Sequence, residues 1–155
     1  MVAATVTSTS VDSAAHLAGL GDPQDLAVAP RRGTETILLV EDAVALLRAA
    51  GAILSSFGYK VLAANRPGAA LRAAEEHEGP IHLLVTDVVM PEMNGRVLAN
   101  RLAAIRPALK RLYISGYADE ATGPRGIIEE EAPFLAKPFT ADALARKVRA
   151  VLDGQ

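Results

Sequence analysis

Between residues 36 and 152 the chain alternates short apolar runs with stretches in which apolar residues return every three or four positions. Thr36-Ile37-Leu38-Leu39-Val40 has no polar interruption after its first residue, the mark of a strand buried on both faces. Leu46, Leu47, Ala50, Ile53, Leu54 and Phe57 then follow helical spacing until Gly58 closes the helix. A short strand is predicted over 59–64. A second helix opens at Pro67, with Ala70, Leu71 and Ala74 as its inward stripe, and stops at Gly79-Pro80. The third strand, 81–86, leads through Asn94-Gly95 to a helix carrying Val97, Leu98, Leu102 and Ile105, which ends at Pro107. A fourth strand is expected over 111–115, and a helix over 119–131 that Gly123, Pro124 and Gly126 shorten or break. Phe134-Leu135-Ala136 is a brief fifth strand. Thr140 caps a last helix whose Leu144, Val148, Val151 and Leu152 face inward.

Five β-α units with no hairpin signal predict an α/β fold, a doubly wound parallel sheet with helices on both faces. The expected strand order is 2-1-3-4-5, the flavodoxin-like arrangement, with strands 1 and 3 side by side at the topological switch point. Residues 1–33 do not share this rhythm. They are rich in Ala, Thr, Ser, Gly and Pro, a composition that buries too little apolar surface to offset ordering entropy. We expect a flexible leader over 1–33 and one folded domain over 34–155.

Composition narrows the chemistry. The chain has 155 residues, a formal charge of −2 and no cysteine, which excludes disulfides, thiol catalysis and Cys-based zinc sites, and gives no bulk attraction for nucleic acid or membrane. No apolar run reaches membrane-spanning length, so a cytoplasmic location is the default expectation.

What remains is a set of polar residues at strand ends, where ligands bind in open α/β sheets. Strand 1 ends in Glu41-Asp42 and strand 3 in Asp87, followed by the turn signal of Pro91. An isolated acidic pair is commonly a solvated helix start, and a lone strand-end Asp a turn initiator. Three carboxylates converging across adjacent strands would instead repel unless a hard divalent cation neutralised them, which points to Mg²⁺ and oxygen ligands, one of them reached through water. Lys137, directly after strand 5, is either an ordinary surface lysine or a point charge that pairs with an aspartate or a phosphoryl oxygen. Ser115, at the end of strand 4, is a turn residue or a hydroxyl donor to such an oxygen.

Val40-Glu41-Asp42, the stretch from Thr86 to Gly95 (TDVVMPEMNG), Ser115-Gly116-Tyr117 and Phe134-Leu135-Ala136-Lys137-Pro138-Phe139 together resemble the receiver domain of two-component response regulators, in order and in spacing, from about Thr36 to Leu152. The variety found attached to hybrid sensor histidine kinases is the most similar. The resemblance implies that Asp87 is the phosphoacceptor, that Glu41, Asp42, Asp87 and the backbone carbonyl of Val89 hold Mg²⁺, and that Ser115 and Lys137 receive the phosphoryl oxygens. It makes Phe134 the aromatic switch, moving inward as Ser115 is drawn to the phosphoryl group; a plain core aromatic is the alternative. The implied partner is a histidine kinase or a histidine phosphotransfer protein, with homodimerisation left open and no direct role for nucleic acid or membrane. Such a domain is not an enzyme beyond its own Mg²⁺-dependent phosphorylation and dephosphorylation.

The chain departs from the pattern in three places. Ala43 and Val44 stand where hybrid-type receivers often carry a further acid and a proline. The glycines and proline of 123–126 disturb the fourth helix. The sequence ends just after the last predicted helix, so no output domain is expected and a signal would pass by protein contact. Other readings remain: a module of the same fold that binds partners without phosphorylation, or the C-terminal receiver fragment of a hybrid histidine kinase. An enzyme on this fold is disfavoured. A flavodoxin needs a Gly/Ser/Thr-rich loop after strand 1, where this chain has acids, and a haloacid-dehalogenase phosphatase needs a second Asp where Val89 stands.

Overall fold

The computed structural model describes residues 29–116 and 132–154. The residues from Arg31 onward form one compact unit. Within it five strands, β1 (Thr36–Val40), β2 (Lys60–Ala64), β3 (Leu83–Asp87), β4 (Lys110–Ser115) and β5 (Phe134–Ala136), pair in parallel in the order β2-β1-β3-β4-β5. Four helices are described: α1 (Val44–Ser56), α2 (Pro67–Glu76), α3 (Gly95–Ile105) and α4 (Ala141–Leu152). The expected order and the doubly wound architecture are those observed. The helix expected over 119–131 lies outside the described residues.

The two central strands explain the uninterrupted apolar runs. Every residue of β1 and β3 is buried, because helices cover both sheet faces. Alternate side chains serve opposite faces. Leu38, Val40, Leu84 and Tyr113 pack with Ala70 and Ala74 of α2 and Leu98, Ala99 and Leu102 of α3. On the other face Ile37, Leu39, Val85, Leu112 and Ile114 pack with Ala50 and Leu54 of α1 and Leu144, Val148 and Val151 of α4. A fully buried aliphatic side chain contributes about 1.5–3 kcal/mol, so these two layers supply most of the driving force for folding.

Local chemistry sets the boundaries. The Asn94 side chain accepts from Val97 N–H at 2.9 Å and Thr140 Oγ1 from Ala143 N–H at 3.0 Å, each capping the helix that follows. β3 begins at Leu83 rather than 81; Ile81 is a buried loop residue. In α3 the buried stripe is Leu98, Ala99 and Leu102, whereas Val97 and Ile105 face outward. Arg31, Arg32 and Gly33, which the sequence groups with the leader, contact the folded unit: Arg31 pairs with Asp153, Arg32 Nη1 donates to Ser56 O at 3.0 Å, and Gly33 N–H donates to Phe57 O at 2.9 Å. Among the described residues no helix is long and apolar enough to cross a membrane.

Candidate functional site

Because β1 and β3 are neighbours, in register from Ile37 opposite Leu83 to Val40 opposite Thr86, the residues that end them are delivered to one place. Glu41 is held there by its own N–H, which donates to Ala64 O at 3.1 Å and carries the β1-β2 ladder one residue further. Asp87 is the last residue of β3, and Val88 N–H continues the ladder by donating to Ile114 O at 3.0 Å. Glu41 and Asp87 are buried and Asp42 is exposed. The three carboxylates each place an oxygen within 4.8 Å of the others.

β5 brings the counter-charge. Lys137 N–H donates to Ser115 O at 2.9 Å, which fixes the residue beside the end of β4. The Lys137–Pro138 peptide is cis. The ammonium reaches back across the sheet end, 2.8 Å from Glu41 Oε1 and 3.2 Å from Asp87 Oδ2. The second oxygen of Glu41, Oε2, accepts from Ala43 N–H at 3.0 Å, so both oxygens of this buried carboxylate are engaged, as a buried charge requires. Ser115 is buried beside this cluster. Val89 lies two residues past Asp87 in the loop to α3 and is 45% exposed.

Burial pushes the Asp87 carboxyl up to about 6, the negative charge of Glu41 adds to the rise, and the attraction of Lys137 only partly offsets it. Burial alone would lower the Lys137 ammonium, but its bond to Glu41 and the charge of Asp87 outweigh this and the net shift is upward. Lys137 is therefore a permanent cation, while Asp87 is a carboxylate whose charge is held at a cost. Any added cation lowers that cost.

The donor set fits Mg²⁺: three carboxylates, all oxygen, with one of them exposed to solvent and able to retain water around a hard ion. Glycine at 95 is part of the same construction. A Cβ there would come within 2.3 Å of Asp87 O and 3.2 Å of Asp87 C, and the Gly95 N–H donates to Val88 O at 2.7 Å. The start of α3 thus packs directly on the backbone that carries Asp87. The sequence singles out the acids, Lys137 and Ser115. The pairing of Lys137 with Glu41 and the close approach at Gly95 emerge only in three dimensions.

The family model for the response regulator receiver domain matches residues 37–149. The chain is 38% identical over 123 residues to the sensor kinase CckA of Brucella abortus (strain 2308), an alignment covering 79% of this chain and 13% of that protein. It is 36% identical over 116 residues to the response regulator receiver protein CpdR of the same organism, covering 75% of this chain and 95% of CpdR. Among solved structures, the receiver domain of the hybrid histidine kinase CckA superimposes with a TM-score of 0.64 at 36% identity, covering 76% of this chain and 98% of that one. A CheY-like receiver domain protein from Methanospirillum hungatei JF-1 does so with a TM-score of 0.67 at 28% identity, covering 78% and 95%. The family match spans well over half of the 155 residues and the fold agrees with it, and so the chain belongs to the response regulator receiver domain family of two-component systems.

Proposed function

We propose that this chain accepts a phosphoryl group on Asp87 from a phosphohistidine of a histidine kinase or histidine phosphotransfer protein, and signals by protein contact. The observation that carries the reading is a buried carboxylate at the end of β3 with two further carboxylates and the Lys137 ammonium gathered around it. Glu41, Asp42, Asp87 and the backbone carbonyl of Val89 are the groups that would hold Mg²⁺. When bound, the ion neutralises the carboxylates and stabilises negative charge on the phosphoryl oxygens.

In the transfer an Asp87 carboxylate oxygen forms the new O–P bond as the N–P bond of the phosphoimidazole breaks. The leaving nitrogen keeps the electron pair, and a ring protonated on its other nitrogen departs as neutral imidazole. Lys137 then donates to one phosphoryl oxygen and the Ser115 hydroxyl to another, which holds the group in line rather than activating it covalently. Attack of water on phosphorus later breaks the same O–P bond and returns inorganic phosphate and the carboxylate. No other turnover is part of this reading. Movement of Ser115 toward the phosphoryl group opens space into which Phe134, half-buried on β5, turns inward, and the repacked surface is what a partner reads.

Both settings of such a domain occur among the relatives, as a segment of CckA and as nearly the whole of CpdR. The reading covers residues 34–155 as the receiver, preceded by the leader whose last residues, Arg31 to Gly33, are fastened to it, and sets it in the cytoplasm, where the donor histidine is reachable. The test is intact-mass detection of phosphoryl addition from acetyl phosphate, with and without Mg²⁺, on the wild type and Asp87→Asn. A single Mg²⁺-dependent addition that is absent in the variant is expected. No addition from acetyl phosphate or from a phosphohistidine donor would leave the phosphorylation-independent binding module as the better account.

A further inference from the structure

Tyr113 stands at the middle of β4 and is, among the described residues, the bulkiest side chain that is fully buried. A ring in that position needs no hydroxyl to fill space, and a buried phenol must be satisfied by a partner. A charged partner is present among the described residues. Arg111 Nη1 donates to Tyr113 Oη at 3.2 Å and to Asn100 Oδ1 at 3.1 Å. Asn100 belongs to α3 and is exposed, so a polar link runs from the interior of the sheet to the outside of a helix.

The placement of this link relates it to the site. Arg111, Tyr113 and Ser115 occupy alternate positions of β4 and share one sheet face. Ser115 is the hydroxyl at the site end. In register, Tyr113 lies between Thr86, the residue before Asp87, and Phe134 on β5. Phe134 packs against the same core layer that contains Tyr113. An aromatic that turns inward from β5 therefore turns beside the Tyr113 ring, and close-packed interiors leave it little choice of where to stop. A charge-assisted bond to the phenol is a stronger constraint on that ring than packing alone.

We propose that Tyr113 is a positioning residue of the switch: its hydroxyl, pinned by Arg111 and through it to Asn100 of α3, fixes the ring beside which Phe134 turns, and ties the middle of β4 to α3. The proposal rests on the reading of Phe134 as a switch given above. It differs from a purely structural role in what it ties together. A structural anchor would change stability, whereas a positioning anchor changes where Phe134 goes when the site is loaded.

The full chain contains three phenylalanines, so labelling with 4-fluorophenylalanine gives three ¹⁹F resonances, and Phe134→Leu identifies the one of interest. The wild type, Arg111→Met, Arg111→Lys and Asn100→Ala are compared with Mg²⁺ alone and with Mg²⁺ and beryllium fluoride, a phosphoryl stand-in. The Phe134 resonance of the wild type is expected to shift on loading. In Arg111→Met that shift should fall by at least half while the rate of phosphorylation by acetyl phosphate stays within twofold. Arg111→Lys, which keeps a donor, should restore part of it, and Asn100→Ala, an exposed change that spares the fold, should reduce it in the same direction. A shift equal to the wild type's in both Arg111→Met and Asn100→Ala overturns the proposal and leaves the switch reading intact. Absence of any shift in the wild type overturns the switch reading itself.

Discussion

The ammonium of Lys137, at the end of β5, donates to Oδ2 of Asp87, at the end of β3, over 3.2 Å. That bond does not fully compensate the aspartate, whose carboxyl is raised to about 6 by burial and by the charge of Glu41. The sign of the consequence follows from linkage. With a folded-state pKa above that of the unfolded chain, Asp87 leaves stability undiminished below about pH 4, and the contribution is lost as pH rises through about 6. Without metal, Asp87→Asn is expected to be more stable than the wild type at pH 7.5 by roughly 2 kcal/mol, with the gap closing toward pH 4.5. Excess Mg²⁺ should shrink the gap at pH 7.5 by stabilising the wild type alone. Urea unfolding of the two proteins at both pH values checks this, and equal stabilities throughout would show that Asp87 carries no such burden.

Gly95 is held against the backbone of the acceptor residue. A Cβ at 95 would lie 2.3 Å from Asp87 O and 3.2 Å from Thr86 Cγ2, and a carbonyl in the last turn of a central strand cannot swing aside as a flexible side chain can. Gly95→Ala should therefore displace the end of β3. The expected cost is about 1–3 kcal/mol of stability, the range for overpacking a filled interior. Acceptance of phosphate from acetyl phosphate should fall by at least tenfold in protein that remains folded, because misplacement of a reacting group costs far more in rate than in stability. Wild-type phosphorylation in a folded variant would show that α3 can retreat without moving Asp87.

The sheet and the acids were legible because their signals are local. Ile37 to Val40 and Leu83 to Val85 are buried on both faces, and that environment selects an unbroken apolar run. Glu41, Asp42 and Asp87 stand out as polar residues ending such runs. The outward placement of Val97 and Ile105 was not legible, since spacing marks large apolar residues while the small Ala99 fills the buried position on α3. Nor were the bonds of Arg106, Arg111 and Arg149. A lone arginine reads by default as a surface residue, and nothing in the local sequence marks partners that lie 29 and 114 positions away.

Arg106, just past α3, donates Nε and Nη2 to Ala74 O at 3.2 and 2.9 Å, Nη2 to His77 O at 2.6 Å, and Nη1 to Gly79 O at 2.5 Å. These are carbonyls at the end of α2 and in the turn beyond it, where a helix leaves acceptors unpaired and the dipole favours a cation. One planar group thereby closes α2 and ties it to α3. Arg106→Ala is expected to cost about 2 kcal/mol, with Arg106→Lys recovering only part because an ammonium cannot reproduce the fork. The clasp lies before β3, at the end of the sheet away from Asp87. Phosphorylation per folded molecule should be unchanged, and a large loss there would mean that α2 and α3 transmit strain to the site.

At the same end of the sheet Arg149 forms a two-pronged pair with Glu35, Nη2 to Oε2 at 2.7 Å and Nη1 to Oε1 at 3.2 Å, while its Nη1 also donates to Tyr59 Oη at 3.2 Å. Hydrogen bonding to Arg149 holds the Glu35 carboxyl down to about 2, against an ordinary value of 4.5. A lowered folded-state pKa gives stability that is complete above about 4.5 and is lost as pH falls through about 2. Partial exposure of the pair screens it, so the contribution at neutral pH is on the order of 1–2 kcal/mol rather than the full value implied by the shift. Glu35→Gln should lower stability by that amount at pH 7, with the difference from the wild type narrowing steadily below pH 4.5. The same substitution should leave phosphoryl acceptance at Asp87 untouched. Glu35 precedes β1 and meets Arg149 of α4, which also pairs with Asp153 just past that helix, and Asp153 in turn takes Arg31. The pair therefore fastens the entry to β1 to the last helix. Thermal unfolding of Glu35→Gln, Arg149→Met and the double variant separates the pairing from each side chain alone: if the pair acts as a unit, the double variant loses little more than Arg149→Met does, and strictly additive losses would deny the coupling.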